Sequence, residues 1–160
     1  MKVRFLAITA IIAAVYVAVS MLIAPFGFTQ VQFRVSEMFN HLVAFNPRFA
    51  FGIVFGVFIT NMFSPLGPID LVFGVAHSII TLGTFIFICK FVKNVLLRLI
   101  INTFLFTFTM FIIAFELNIA LDLPFLWTWL TVAAGEFVVL AVGTPIMYQL
   151  NKRINFSKFL

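Results

Sequence analysis

From Phe5 to Ala24 the chain runs for 20 residues without a single charge. As an α-helix rising 1.5 Å per residue, that stretch is about 30 Å long, the thickness of a bilayer's hydrocarbon core. Similar apolar stretches follow to the end of the chain, separated by short punctuation. Pro25, Gly27 and Thr29 break the first span. A short second helix is predicted over about Gln32–Phe45; it carries Arg34, Glu37, Asn40 and His41 and stops at Asn46-Pro47. A third covers about Arg48–Phe63 and ends in the turn Ser64-Pro65-Leu66-Gly67-Pro68. A fourth runs over about Ile69–Phe91 into a basic connection with Lys90, Lys93 and Arg98. A fifth covers about Leu96–Leu117 and leads to a polar loop holding Glu116, Asn118, Asp122 and Pro124. The sixth is about Phe125–Leu150, with Lys152, Arg153 and Lys158 in the tail.

Only 9% of the residues are charged, against roughly a quarter in soluble domains. A water-exposed surface cannot be assembled from that. The expectation is an all-α, polytopic protein whose residues 1–160 form one integral membrane domain of six helices. Lys2 and Arg4 before an apolar run resemble a signal peptide, but the run exceeds a signal core of about 7–15 residues. It reads as a retained first helix.

With the N-terminus in the cytoplasm, nine of the ten basic residues fall on cytoplasmic pieces and only Arg34 on the other half. This is the positive-inside pattern, and six crossings return the C-terminus to the cytoplasm. The net charge of +5 therefore reports orientation and not nucleic-acid binding. Cys89 stands alone, which excludes an internal disulfide or a thiolate metal site. There is no phosphate-binding glycine loop, no H-E-x-x-H and no G-x-S-x-G, so the chain does not itself hydrolyse ATP and no enzyme chemistry is expected. No cofactor and no metal is expected either.

Ionisable groups at membrane depth cost at least about 2.5–3.5 kcal/mol and mark candidate sites. Here they are Arg34, Glu37, Asp70, His77 and Glu136, all in the outer half of the bundle. Arg34, Glu37 and His41 share one face of an α-helix. Arg34 and Glu37 are either a self-neutralising ion pair within the helix or the holder of a polar ligand. Asp70, Gly74, His77, Ser78 and Thr81 form a stripe along the fourth helix. Asp70 suits an N-cap as well as a ligand contact, and His77 suits a neutral core position as well as a site. Gly74 leaves room for a neighbouring helix or a ligand. Asn61 ends the third helix. Glu136 has no basic neighbour on its own helix and needs a partner from elsewhere. Trp127 and Trp129 belong either to an interfacial aromatic belt or to a stacking platform for a flat ring. Ala10, Ala14 and Ala18, with Ala7 and Ala13 nearby, give the first helix a smooth face for packing.

Val31-Gln32-Phe33-Arg34-Val35-Ser36-Glu37 resembles the Q-F-R-x-S-E signature of the QueT family. Gly52, Gly56, Asn61, Gly67-Pro68-Ile69-Asp70, Gly74 and Glu136 match its later elements. The resemblance covers nearly the whole chain. It implies a six-helix substrate-binding (S) component of an energy-coupling factor (ECF) transporter in a bacterial cell membrane. It also implies a queuosine precursor of the 7-deazaguanine type as substrate, with another vitamin-like solute as the alternative. The implied partners are the transmembrane coupling protein EcfT and two ATPases, and the stripe Ala10, Ala14, Ala18 resembles the face on which S components dock. Substrate contacts are expected from Arg34, Glu37, Asn61, Asp70, His77, Trp127 and Glu136, with the Pro25–Val31 and Ser64–Pro68 loops closing over them.

Overall fold

The computed structural model describes residues 2–23 and 33–159. The chain passes through helix α1 (Lys2–Leu22), a 3₁₀ helix (Val35–Ala44), and helices α2 (Phe49–Asn61) and α3 (Pro68–Cys89). Helices α4 (Val95–Thr109), α5 (Phe111–Leu121) and α6 (Phe125–Ile154) follow, and a 3₁₀ turn over Phe156–Lys158 ends the described chain. No strand occurs among the described residues.

Four apolar helical stretches are long enough to cross a bilayer: Val3–Leu22, Pro68–Cys89, Val95–Leu121 and Phe125–Ile154. The third combines α4 and α5, which join at Met110. The Trp129 indole N–H donates to the Phe108 carbonyl at this break, at 3.2 Å. The two remaining passes are short. Thirteen residues of α2 and ten of the 3₁₀ helix each span about 20 Å, because a 3₁₀ helix rises about 2.0 Å per residue. Leu6, Phe55, Ile79, Phe104 and Leu130, from five different helices, are each at least half exposed. Such an exterior belongs in lipid. The Arg4 guanidinium donates to the Lys158 carbonyl at 3.1 Å, so the two ends of the described chain meet on one side. An even number of crossings produces that closure.

Small residues set the helix spacing. Gly52 and Gly56 of α2 lie against α1: a Cβ at Gly52 would come within 2.9 Å of the Thr9 carbonyl oxygen. A Cβ at Gly56 would come within 2.8 Å of the Tyr16 Cβ. The backbones approach closely because there is nothing between them. Gly143 of α6 plays the same part for the 3₁₀ helix, facing Met38. Gly67 adopts φ +65°, a conformation that favours glycine, and it stands at the N-cap of α3 with Pro68 next.

The core runs through Tyr16, Leu42, Ile53, Phe85, Leu99, Phe106 and Leu140. At the cytoplasmic end Arg98 donates to three carbonyls: Val92 at 2.7 Å, Cys89 at 2.9 Å and Ala44 at 3.1 Å. One guanidinium thereby ties the end of α3 to the end of the 3₁₀ helix.

Candidate functional site

The second element departs from the expected α-helix, and the difference decides the site. At 3.0 residues per turn, positions three apart eclipse each other. Arg34, Glu37 and Asn40 therefore stack, and the Asn40 amide donates to Glu37 Oε2. His41, expected on the same face, is turned aside. Its Nε2–H donates to the Leu140 carbonyl at 3.0 Å, and its Nδ1 accepts from the Asn102 amide at 3.1 Å. Both bonds fix one tautomer, since a carbonyl can only accept. His41 is thus part of the frame holding the 3₁₀ helix to α4 and α6.

Arg34 does not pair with Glu37 within its own helix. It reaches across to α3 and contacts Asp70 Oδ1 at 3.3 Å. The other oxygen of Glu37, Oε1, accepts from the Tyr16 hydroxyl at 2.8 Å. Both oxygens of Glu37 are therefore satisfied by the protein. Asp70 is not the N-cap of α3, a position Gly67 holds; it lies in the first turn, where its charge suits the helix dipole.

Asn61, from the end of α2, donates to the Asp70 backbone carbonyl at 3.2 Å. Its amide occupies the space beside Gly74, where a Cβ would overlap it. The room at Gly74 serves a neighbouring helix. His77, two turns deeper on α3, bonds through Nε2 to the Thr109 hydroxyl at 3.0 Å and meets the Phe106 ring edge-on. Thr81 donates to the same hydroxyl at 2.9 Å.

Glu136 of α6 is fully buried. Neither of its carboxyl oxygens has a hydrogen-bond partner among the described residues. Glu37 and Arg34 are its electrostatic neighbours. Trp127 does not join this group. It is 70% exposed and lies nine residues before Glu136, half a turn out of phase at 100° per residue. The buried face of α6 runs through Thr128, Val132, Gly135, Glu136 and Val139, so Trp127 faces lipid as an interfacial residue.

Two participants were not legible as such. Tyr16 sits in an apolar run with no polar pattern to betray it. Glu116, expected in a loop, lies inside α5 and is fully buried, in side-chain hydrogen-bonding contact with Asp70. Its signal was an acid too close to an apolar run to be free of it. Asp122, by contrast, ends α5 in the left-handed conformation with φ 54° and is exposed. Four of the five acids thus converge in the buried interior around Arg34, whose side chain is 9% exposed.

A cavity of about 20 Å³ opens beside Arg34, lined by Tyr16, Ser20, Ser36, Thr60 and Asn61. That is room for about one water. The Ser64–Pro68 turn lies next to it in sequence, and Ser64 is buried. The Pro25–Val31 loop, together with Val31 and Gln32 of the signature, lies outside the described residues. No group of metal-ligating side chains occurs among the described residues. The alanine face of α1 lies on the other side of the molecule's first helix from Tyr16: Ala7, Ala10, Ala14 and Ala18 are exposed, while Ala13 and Tyr16 are buried.

A bundle of membrane-crossing helices that encloses four acids and Arg34 defines a polytopic membrane protein with a buried polar interior. Comparison with known proteins is specific. The QueT transporter family model matches residues 6–152, and the chain belongs to that family. It is also 34% identical, over 93% of each chain, to the queuosine precursor transporter QueT of Lactococcus lactis subsp. cremoris strain MG1363. No solved structure matches. The chain is therefore a multi-pass membrane transport protein and not an enzyme.

Proposed function

We propose that this chain is the substrate-binding S component of an ECF importer and that it takes up a queuosine precursor of the 7-deazaguanine type. The observation that carries the reading is Glu136, a fully buried carboxyl group whose oxygens are unclaimed by the described residues. A 7-deazaguanine presents two parallel N–H donors on its Watson–Crick edge, and one carboxylate accepts both. Glu37 is the weaker candidate for that edge, because Tyr16 and Asn40 already occupy its oxygens. Arg34 and Asn61 donate toward the ring carbonyl. Asp70 faces the 7-substituent. His77 borders the site from below, held by Thr109. The printed name of the Lactococcus lactis relative supports the substrate class.

A cavity that admits one water does not admit a bicyclic base. Binding therefore requires α1 and the 3₁₀ helix to separate around Tyr16 and Ser36. Transport follows when the loaded chain reorients on EcfT while two partner ATPases hydrolyse ATP. The alanine face of α1, exposed along Ala10, Ala14 and Ala18, is the surface proposed to meet EcfT.

Purified protein tests the reading by calorimetric titration with 7-deazaguanines, guanine, thiamine and riboflavin. A 7-deazaguanine should bind, and Glu136→Gln should weaken it about 10-fold or more, as expected for loss of a charged hydrogen-bond acceptor. Binding of one of the vitamins in place of every 7-deazaguanine would overturn the substrate assignment.

A further inference from the structure

On the lipid-facing side of the bundle, α2 and α3 leave a groove of about 630 Å³ between them. Phe51, Phe55 and Phe58 border it on α2, and Ile79 and Ile86 on α3. It is open at Gly83, where an added Cβ would meet nothing within 4 Å. No charged side chain lines it. Its α3 side runs from Val75 to Ile86, a rise of about 16 Å. Its α2 side, from Pro47 to Phe58, is about as long. One leaflet of a bilayer is about 15 Å deep, half of a hydrocarbon core of about 30 Å. A helix crossing the whole membrane would find no groove along its other half, whereas one acyl chain fits this height.

The cytoplasmic mouth of the groove is cationic. Arg48 follows Pro47, and Lys90 lies four residues beyond Ile86 on the same face of α3. Both are exposed. Neither has a carboxylate partner, since Arg34–Asp70 is the one salt bridge among the described residues. The Lys90 ammonium lies 5.7 Å from the centre of the exposed Phe87 ring. Arg98, in the same basic connection, is already held by three carbonyls. No acid lies on α2, and Asp70, the only one on α3, is buried in the first turn at the opposite end.

We infer that this groove binds an anionic phospholipid of the cytoplasmic leaflet, with one acyl chain between α2 and α3 and the headgroup phosphate held by Arg48 and Lys90. The Arg48 fork suits two phosphate oxygens, and Lys90 adds a point charge. Basic pockets between transmembrane helices on the cytoplasmic side take anionic headgroups in this way. A phosphatidylcholine would fill the groove equally well, but its own quaternary ammonium competes with both side chains for the phosphate. The site is separate from the buried polar interior and does not depend on the identity of the transported substrate.

Native mass spectrometry of the purified chain in detergent tests the inference. The probes are equimolar dioleoylphosphatidylglycerol and dioleoylphosphatidylcholine, which share their acyl chains. The wild-type protein should retain phosphatidylglycerol at least about fivefold more, the effect of about one basic residue at an anionic headgroup. Arg48→Gln/Lys90→Gln should bring the preference below about twofold. Lys152→Gln/Arg153→Gln removes the same charge from α6, which packs on α4, α5 and the 3₁₀ helix, and it should keep the preference. Gly83→Leu fills the groove without a clash and should lower retention of both lipids several-fold. Equal loss in the two charge variants would mean a diffuse attraction to the basic side and would overturn the site. Unchanged retention in Gly83→Leu would do the same. A dimer in the wild-type spectrum that Gly83→Leu abolishes would give the groove to a second copy of the chain and also overturn the inference. Thermal unfolding of each variant identifies a folding defect, and the charge variants then carry the comparison, since their side chains are exposed.

Discussion

Arg34 is the residue on which the buried charges depend. It is the one cation buried with four acids, and its side chain is only 9% exposed. Removing one partner of a buried ion pair leaves the other charge stranded, at a cost of about 3–5 kcal/mol. Arg34→Ala should therefore lower the thermal unfolding temperature in detergent markedly. The double variant Arg34→Ala/Asp70→Asn should recover much of that loss, because the stranded carboxylate is gone. Stability measured across this cycle checks the pairing: if the second substitution restores nothing, Asp70 is not the principal partner. Lysine is a poor substitute here. Its compact, strongly hydrated ammonium costs more to bury than the weakly hydrated guanidinium.

At the scale of elements, the site is made by glycines that let helices approach and by a helix wound more tightly than usual. Gly56 and Gly74 make opposite predictions despite similar crowding. A Cβ at Gly56 meets the Tyr16 Cβ at 2.8 Å. That atom is fixed to the α1 backbone, so the whole helix must move, and overpacking of this kind costs about 1–3 kcal/mol. Gly56→Ala should lower stability. A Cβ at Gly74 meets the end of the Asn61 side chain, which swings away cheaply but abandons the Asp70 carbonyl. Gly74→Ala should leave unfolding nearly unchanged and weaken ligand binding several-fold. Calorimetry and thermal unfolding on the two variants separate the cases; a stability loss at Gly74 equal to that at Gly56 would contradict the distinction. The same elements show what could be read in advance. The membrane spans were legible because 20-residue uncharged runs have few other uses. Asp70, Asn61 and Arg34 stood out because polar groups at membrane depth need a reason, and the structure brings them into contact. The pitch of the second element was not. Periods of 3.0 and 3.6 differ by less than one residue over a single turn, so the stretch Arg34–His41 fits both, and only packing against α4 and α6 selects between them. Glu116 was missed because an acid near a span's end is ordinarily a loop residue, and the kink at Met110 lets α5 continue to Leu121.

The whole molecule is polarised across the bilayer and also around its circumference. Charges of one sign gather at the cytoplasmic ends, while the buried acids gather toward the other. Around the circumference the helices expose phenylalanine, leucine and isoleucine, and α1 adds a row of exposed alanines. It leans mainly on α2 and touches the 3₁₀ helix, so most of its surface is left outside the bundle. Tyr16 on its inner side donates to Glu37, and Ala10, Ala14 and Ala18 on its outer side offer a track where another helix can come close. One helix thus lies between the ligand and the proposed partner, a geometry in which α1 can report occupancy to EcfT by a small shift. Ala14 is the middle of the track and is exposed. Ala14→Trp adds a large side chain there without touching the interior. Co-purification of this chain with co-expressed EcfT should be lost, while binding of a 7-deazaguanine by the isolated chain stays at the wild-type level. Loss of both would mean that the substitution disturbs the fold of α1 and Tyr16, and retained co-purification would mean that the partner docks elsewhere. A tryptophan at exposed Phe51 of α2, away from the alanine track, serves as the matched control and should keep both activities.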